Sequence, residues 1–408
     1  MKGNKILRIV FSSMILINCL VGYMSFLGQI KKANFGWDAR LRHNEILCSH
    51  TLTNPYHVWD GTRFLPGFQP YWPQCDPKFN CNPIDRCVHA YPVWHTVFFW
   101  FYGWLPDDYF IGIMASVFGI CLCVIAIGTY KLMQRATDDP LTPTLGILAL
   151  IACSAMQCFL SQNYSVMILA LLILGAMALR RDRQVLAGVC WAVTMIKPQL
   201  AILFVWPLLI GRKIKVILVA ALLCLLSAVL MAFVYDEPLL ELILQIPKAV
   251  KPYSIEPLVV TKFFAPLLGG AGNYVWMALC GMMCGMLCWI GRKQQDWIYR
   301  AMPVVLFIPL WTYNMPYDGV IEWIWYVGAF GLAVASGCRA NIWRCYLLVA
   351  IICSQFCHFW DIAICFRLFN PAGLGWIYRA LSGGNILLAF AMFIHLVRER
   401  HAIRIENH

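Results

Sequence analysis

Apolar runs alternate with short polar breaks along nearly the whole chain, and many are as long as a bilayer is thick. A helix rising 1.5 Å per residue needs about 20 apolar residues to cross the hydrocarbon core. Residues 8–30 meet that measure, and 109–130, 144–160, 164–179, 185–209, 216–234, 274–290, 301–313, 320–336, 346–359 and 380–397, with ends less sharply defined, also read as membrane segments between polar turns. The run 185–209 carries Lys197-Pro198 in its middle, and a proline and a charge there divide it into two short helices. The pattern predicts an all-α polytopic membrane protein with about twelve transmembrane helices and both termini inside. Residues 1–408 read as one domain. Residues 31–108 form a long first extracytoplasmic loop, 109–234 the central membrane helices, and 235–408 the C-terminal helices with further outer loops. Inside the first loop, Asp38, Leu41, Asn44, Glu45 and Leu47 follow a helical spacing that suits a helix resting on the membrane surface. Residues 93–105 are crowded with Trp, Phe and Tyr but reach only about 20 Å, so they predict a second, interfacial helix. No internal repeat is visible, and nothing supports an inverted-repeat transporter.

Composition agrees with the pattern. Hydrophobic residues make up 61% of the chain and charged ones 13%, against about 45–50% and about 25% in soluble domains. The net charge of +12 is concentrated between the spans, at Arg180-Arg181-Asp182-Arg183, Arg212-Lys213-Ile214-Lys215, Arg292-Lys293 and Arg398-Glu399-Arg400. The positive-inside rule accounts for such clusters without a nucleic-acid partner. The basic start at Lys2–Arg8 and the run after it lack a small-residue cleavage site, so they read as a retained anchor that begins in the cytoplasm. Most of the 19 cysteines lie in apolar segments and behave there as small hydrophobes. Cys48, Cys75, Cys81 and Cys87 instead share the first outer loop, which suggests disulfides of open connectivity. They contain no Cys-x-x-Cys, which weakens a zinc reading. The stripe Cys280, Cys284, Cys288 beside Gly281 and Gly285 is explained by helix packing.

Candidate chemistry lies on the outer side. Asp38, just past the first span, is a carboxylate suited to take a proton from an acceptor hydroxyl; as a helix cap it would do less. Lys197 is a charge within an apolar run, which marks a functional site and suits a phosphate, with snorkelling as the plain alternative. Gln162-Asn163 forms an outer turn. Asp318 reads either as a contact to sugar hydroxyls or as a turn initiator. His43, His89 and His95 with Asp38 or Asp60 lack the helical spacing of a metal motif, and no cofactor or metal is expected. Walker, dinucleotide and Gly-x-Ser-x-Gly motifs are absent from the chain.

Three stretches together resemble glycosyltransferase family 87, polyprenyl-phosphate-sugar-dependent membrane enzymes of the GT-C superfamily that include bacterial mannosyltransferases. The first is Asp38–Leu47 with Asn54-Pro55-Tyr56. The second is Tyr91-Pro92-Val93-Trp94 leading to Trp104-Leu105-Pro106. The third joins Ser161-Gln162-Asn163, Leu186-Ala187-Gly188 and Ile196-Lys197-Pro198-Gln199. Val93 stands where a second proline is usual, Asn314-Met315 lie where Ser-Pro-His is common, and the cysteine-bearing insert between Phe64 and Cys87 departs from typical members. The resemblance implies a GT-C-like fold in a bacterial cytoplasmic membrane, with an active site facing outward. It implies transfer of a hexose, on this reading mannose, from a polyprenyl-phosphate donor to a lipid or glycan acceptor, with inversion and without a metal. Asp38 becomes the base and Lys197 the ligand of the lipid phosphate, while Gln162, Asn163 and Gln199 line the cavity. Asp60, His89, His95 and Asp318 complete the candidate set. A transporter or flippase of a lipid-linked sugar is the alternative, and it leaves Asp38 without a chemical task.

Overall fold

The computed structural model describes residues 2–31, 36–50, 52, 54, 91–250, 272–293, 297–311 and 316–335. The described elements are all helical. In chain order they are α1 Lys2–Lys31, α2 Trp37–His50, α3 Trp94–Phe99, α4 Asp107–Met133, α5 Leu141–Ser161, α6 Ser165–Arg180 and α7 Gln184–Thr194. There follow α8 Pro198–Ala201, α9 Val205–Ile210, α10 Ile214–Tyr235, α11 Leu239–Val250, α12 Gly272–Ile290, α13 Trp297–Trp311 and α14 Trp323–Ala335. Tight helical turns at Trp100–Trp104 and Pro316–Glu322 lead out of α3 and into α14.

Three described helices are long and apolar enough to cross a membrane, at Lys5–Leu27, Asp108–Met133 and Ile214–Tyr235. α5, bent by 50° between Leu141–Ala152 and Ser154–Ser161, makes a fourth if counted as one span. Shorter apolar helices accompany them, among them Ser165–Arg180 and Tyr274–Ile290. Leu218, Leu222, Leu225, Leu226 and Phe233 of α10 are exposed, which suits a helix whose solvent is lipid. The chain is an integral membrane protein. The spans expected at 346–359 and 380–397 lie outside the described residues.

α6 is the central pillar. It is apolar on every side and buries Val166, Ile168, Leu169, Leu172 and Ile173, among others, as a helix enclosed by neighbours must. α4 lays Phe110, Met114, Phe118 and Ile125 inward, and both α4 and α7 pack on α6. α7 also meets α10 closely at Gly188, where an added Cβ would lie 2.7 Å from Val219 Cβ and 3.0 Å from the Val216 carbonyl. α1 runs along α5 and is fastened at its start by Arg8, which donates to Asp139 at 2.6 Å and to Thr142 at 3.0 Å.

The expected interruption in the fifth apolar run is present. Lys197 is extended, φ −120° and ψ 79°, immediately before Pro198, which opens α8. Proline disfavours a helical residue before it and lacks the N–H that a continuous helix uses. Trp191 Nε1 donates to the Ala201 carbonyl at 3.1 Å and staples the two halves.

Two stretches add to the expectation. α2 forms where the spacing predicts a helix, and it turns a largely charged stripe toward the protein. Asp38, Arg42, Glu45 and Ser49 form a stripe at i, i+4, i+7 and i+11 that is buried, together with Ala39 and Ile46, while Leu47 is exposed. The charged stripe is drawn inward because it carries its own counter-ions and meets others there. Residues 239–250, which lie between the segments read from sequence at 216–234 and 274–290, form the amphipathic helix α11. Leu242 is buried and Leu240 and Leu244 are exposed. Asn54 Nδ2 donates to Glu237 at 2.7 Å and to Gln245 at 3.2 Å, tying the segment after α2 to this helix.

Candidate active site

Three chain breaks converge on one buried point. The first is the start of α2, reached through Gly36, whose N–H donates to the Leu160 carbonyl at 3.0 Å. Gly36 has φ +69°, and a Cβ there would come within 3.1 Å of Gln162 Oε1, so glycine suits the position both in dihedral and in space. The second is the α5–α6 turn. Gln162 closes α5 in the left-handed region, φ 54° and ψ 45°, and Asn163 N–H donates back to the Cys158 carbonyl at 2.9 Å. The third is the Lys197-Pro198 break. The loop before α14 adds Asp318.

At that point Asn163 is the hub. Its Nδ2 donates to Asp38 Oδ2 at 2.9 Å. Its Oδ1 accepts from Lys197 Nζ at 3.0 Å, from the Ser165 N–H at 3.1 Å and from Ser165 Oγ at 2.7 Å. Lys197 Nζ donates further to Ser165 Oγ at 3.0 Å and to Asp318 Oδ1 at 2.6 Å. Asp38, Asn163, Ser165, Lys197 and Asp318 are all less than 5% exposed. Burial pushes the Asp38 carboxyl above its ordinary range; Arg42 and Lys197 pull it back down, Glu45 adds to the rise and the Asn163 bond opposes it. A carboxyl so placed is a better proton acceptor than an exposed one, because its conjugate acid is weaker.

A second group adjoins the first. Arg42 lies 3.6 Å from Asp38, pairs with Glu45, and stacks its guanidinium 4.3 Å from the Tyr91 ring centroid. Glu45 Oε2 is 3.9 Å from His95 Nδ1, and His95 Nε2 shares a hydrogen bond of 3.1 Å with the Tyr164 hydroxyl. Phe99 stacks on Tyr164 with ring centroids 5.1 Å apart. Across both groups two cations, Arg42 and Lys197, stand among three carboxylates, Asp38, Glu45 and Asp318.

Of the residues proposed from sequence, Asp38, Asn163, Lys197 and Asp318 meet directly, and His95 belongs to the adjoining group. Gln162 is buried beside them, its Nε2 donating to the Ile111 carbonyl at 3.0 Å. Gln199 is partly exposed on α8. Asp60, His89, Cys75, Cys81 and Cys87 lie outside the described residues, as does the side chain of Cys48, whose backbone belongs to α2. His43 is held elsewhere, stacked on Phe110 at 4.6 Å with its Nε2 3.2 Å from the Tyr102 carbonyl. Sequence reasoning missed Arg42, Tyr164 and Ser165 and did not see Glu45 as part of the site. The spacing Asp38, Arg42, Glu45 places all three on one helix face and was the available signal; nothing marked Ser165.

Residues 89–360, about two thirds of the chain, match Glycosyltransferase family 87. The chain belongs to glycosyltransferase family 87. It is therefore a membrane glycosyltransferase of the GT-C type, acting on a sugar donor and an acceptor. No curated protein and no solved structure matches it. The matched region of this family 87 enzyme holds His95, Asn163, Ser165, Lys197 and Asp318 and begins after Asp38, Arg42 and Glu45. It also reaches well beyond the first half of the chain, where the motifs quoted from sequence lie.

Proposed function

We propose that this family 87 enzyme transfers a hexose, of the mannose type, from a polyprenyl-phosphate donor to a hydroxyl of a lipid or glycan acceptor. The reaction takes place on the outer face of a bacterial cytoplasmic membrane, in a chain of about twelve crossings. The observation that supports it is Asp38: a buried carboxyl just past the first apolar helix, hydrogen-bonded through one amide to a buried lysine. The acceptor O–H gives its proton to Asp38 as its oxygen bonds to the anomeric carbon. The bond from that carbon to the phosphate oxygen breaks on the opposite face, and its electron pair leaves with the polyprenyl phosphate, so the configuration inverts. A phosphate is a good leaving group, so no general acid and no metal are needed. On the sequence reading Gln162, Asn163 and Gln199, with Asp60, His89, His95 and Asp318, line the cavity around the sugar. On the sequence reading Lys197 meets the donor phosphate, and for that to happen phosphate oxygens must replace Asp318 on its ammonium.

The test uses purified protein with polyprenyl-phosphate-mannose and a crude lipid or glycan acceptor. Sugar transfer that Asp38→Asn abolishes, with donor binding kept and turnover unaffected by chelators, is the expected result. Movement of the donor across liposomes without transfer would support the transporter reading instead.

A further inference from the structure

Lys197 is so thoroughly committed within the protein that its part in the reaction needs a different description. An ammonium has three protons to donate, and three acceptors stand within 3.0 Å of this one: Asn163 Oδ1, Ser165 Oγ and Asp318 Oδ1. Asp318 in turn is fully buried, accepts from Lys197 and lies 2.5 Å from Ser165 Oγ, whose one proton goes either to it or to Asn163 Oδ1. A phosphate that took Lys197 would strand the Asp318 carboxylate in a dry interior, and breaking one partner out of a buried pair is strongly unfavourable. Among the described residues the carboxylates of the two groups outnumber their cations, which offers an anion little attraction.

The same bonds have a second consequence. With Lys197 Nζ and the Ser165 N–H both donating to Asn163 Oδ1, the amide has one admissible orientation. Turned over, its NH2 would face an ammonium and an N–H. Asn163 Nδ2 must therefore point at Asp38 Oδ2. The geometry points to Lys197 and Asp318 as a positioning pair that orients Asn163, and through Asn163 the carboxylate of Asp38, with the donor phosphate bound elsewhere. Lys197 and Asp318 come from distant parts of the chain and make the site's geometry depend on the α7–α8 break and the loop before α14 being docked together.

This inference rests on the reading of Asp38 as the base, and the experiment separates the two. Transfer is measured against donor concentration and pH for wild type, Asn163→Ala, Asp318→Asn and the paired Lys197→Met/Asp318→Asn, with Asp38→Asn as the reference. Among the described residues the titratable and charged groups acting on Asp38 are Arg42 and Glu45 on its own helix, Lys197 from the α7–α8 break, and Tyr164 and Cys158 beside the α5–α6 turn, with Asp318 bonded to Lys197 and His95 to Tyr164. A positioning role predicts that Asn163→Ala lowers kcat by about 100-fold, the usual scale for a misplaced reacting group, with donor KM unchanged. Losing a hydrogen bond that favours the charged carboxylate also moves the acid limb of the pH profile upward. Asn163→Asp keeps the acceptor for Lys197 but cannot donate to Asp38, and it fails to rescue. Asp318→Asn lowers kcat in the same way. If Lys197 were the phosphate ligand, Asp318→Asn would free it and lower donor KM, which would overturn the inference. The paired variant removes both charges together and keeps the test decisive where Asp318→Asn does not fold; a raised donor KM there overturns the inference, and an unchanged one upholds it. Should Asp38→Asn itself remain active, the base assignment fails and these shifts have no meaning for catalysis, a distinct outcome from loss of the pair alone.

Discussion

At the scale of single residues, Asp38 trades stability for chemistry. Its carboxyl titrates above its ordinary range, first through burial, so the folded protein holds that proton where the unfolded chain has released it. The linkage sign follows: stability is undiminished below the ordinary carboxylate pKa and declines as pH rises from there toward the raised value. Asp38→Asn should therefore melt at or above the wild-type temperature in detergent at neutral pH while losing transfer by at least about 100-fold; a clear drop in melting temperature would show that the carboxylate holds the fold together. Transfer by the wild type should rise with pH along the acid limb, since the base acts only when deprotonated. Much of this was readable beforehand. Asp38, Asn163, Lys197 and Asp318 stand out in sequence as polar groups at apolar borders, but Ser165 looks like the first residue of an ordinary helix and only its neighbours give it a role.

Among the elements, two joints carry checkable consequences. α7 and α10 touch through Gly188, whose missing side chain leaves no room against Val219 and the Val216 carbonyl. Gly188→Val should cost about 1–3 kcal/mol by overpacking, measured as a loss of thermal stability, and it should displace Lys197 downstream and so depress transfer. The α1–α5 joint is electrostatic. Bonds from Thr142 and then Arg8 hold the Asp139 carboxyl below its usual range, so its contribution is present above the ordinary carboxylate pKa and fades as pH falls through the lowered one. Since the pair is partly solvated, Arg8→Ala should cost about 0.2–1 kcal/mol at neutral pH and nothing in strong acid; melting curves at the two pH values decide it. Helix α11 shows why periodicity has to be counted residue by residue. Leu239, Leu242 and Ile243 mark an apolar face within a stretch whose Pro, Glu and Lys make it look like loop.

For the molecule as a whole, orientation is the property to measure. Asp108, at the start of α4, and Asp182, in the basic turn after α6, have side chains 90% and 78% exposed. Cysteine placed at 108 should react with an impermeant thiol reagent from outside the cell, and cysteine at 182 only after permeabilisation. The reverse pattern would put Asp38 on the cytoplasmic side and remove the outward-facing reading.

What the amino-acid order determines unaided is the membrane class, the helical content, the break at Lys197-Pro198 and the family. Each follows from local quantities: run length, the charge of short turns, the backbone limits of proline, and motifs a few residues long. The tertiary structure alone decided that α2 faces inward through its charges, that Asn163 stands between Asp38 and Lys197, and that Lys197 is matched by a carboxylate 121 residues away. Pairing of buried charges depends on which segments meet in space. In a bilayer every helix can hide its apolar surface in lipid, so hydrophobicity alone does not say which face of a helix turns toward its neighbours.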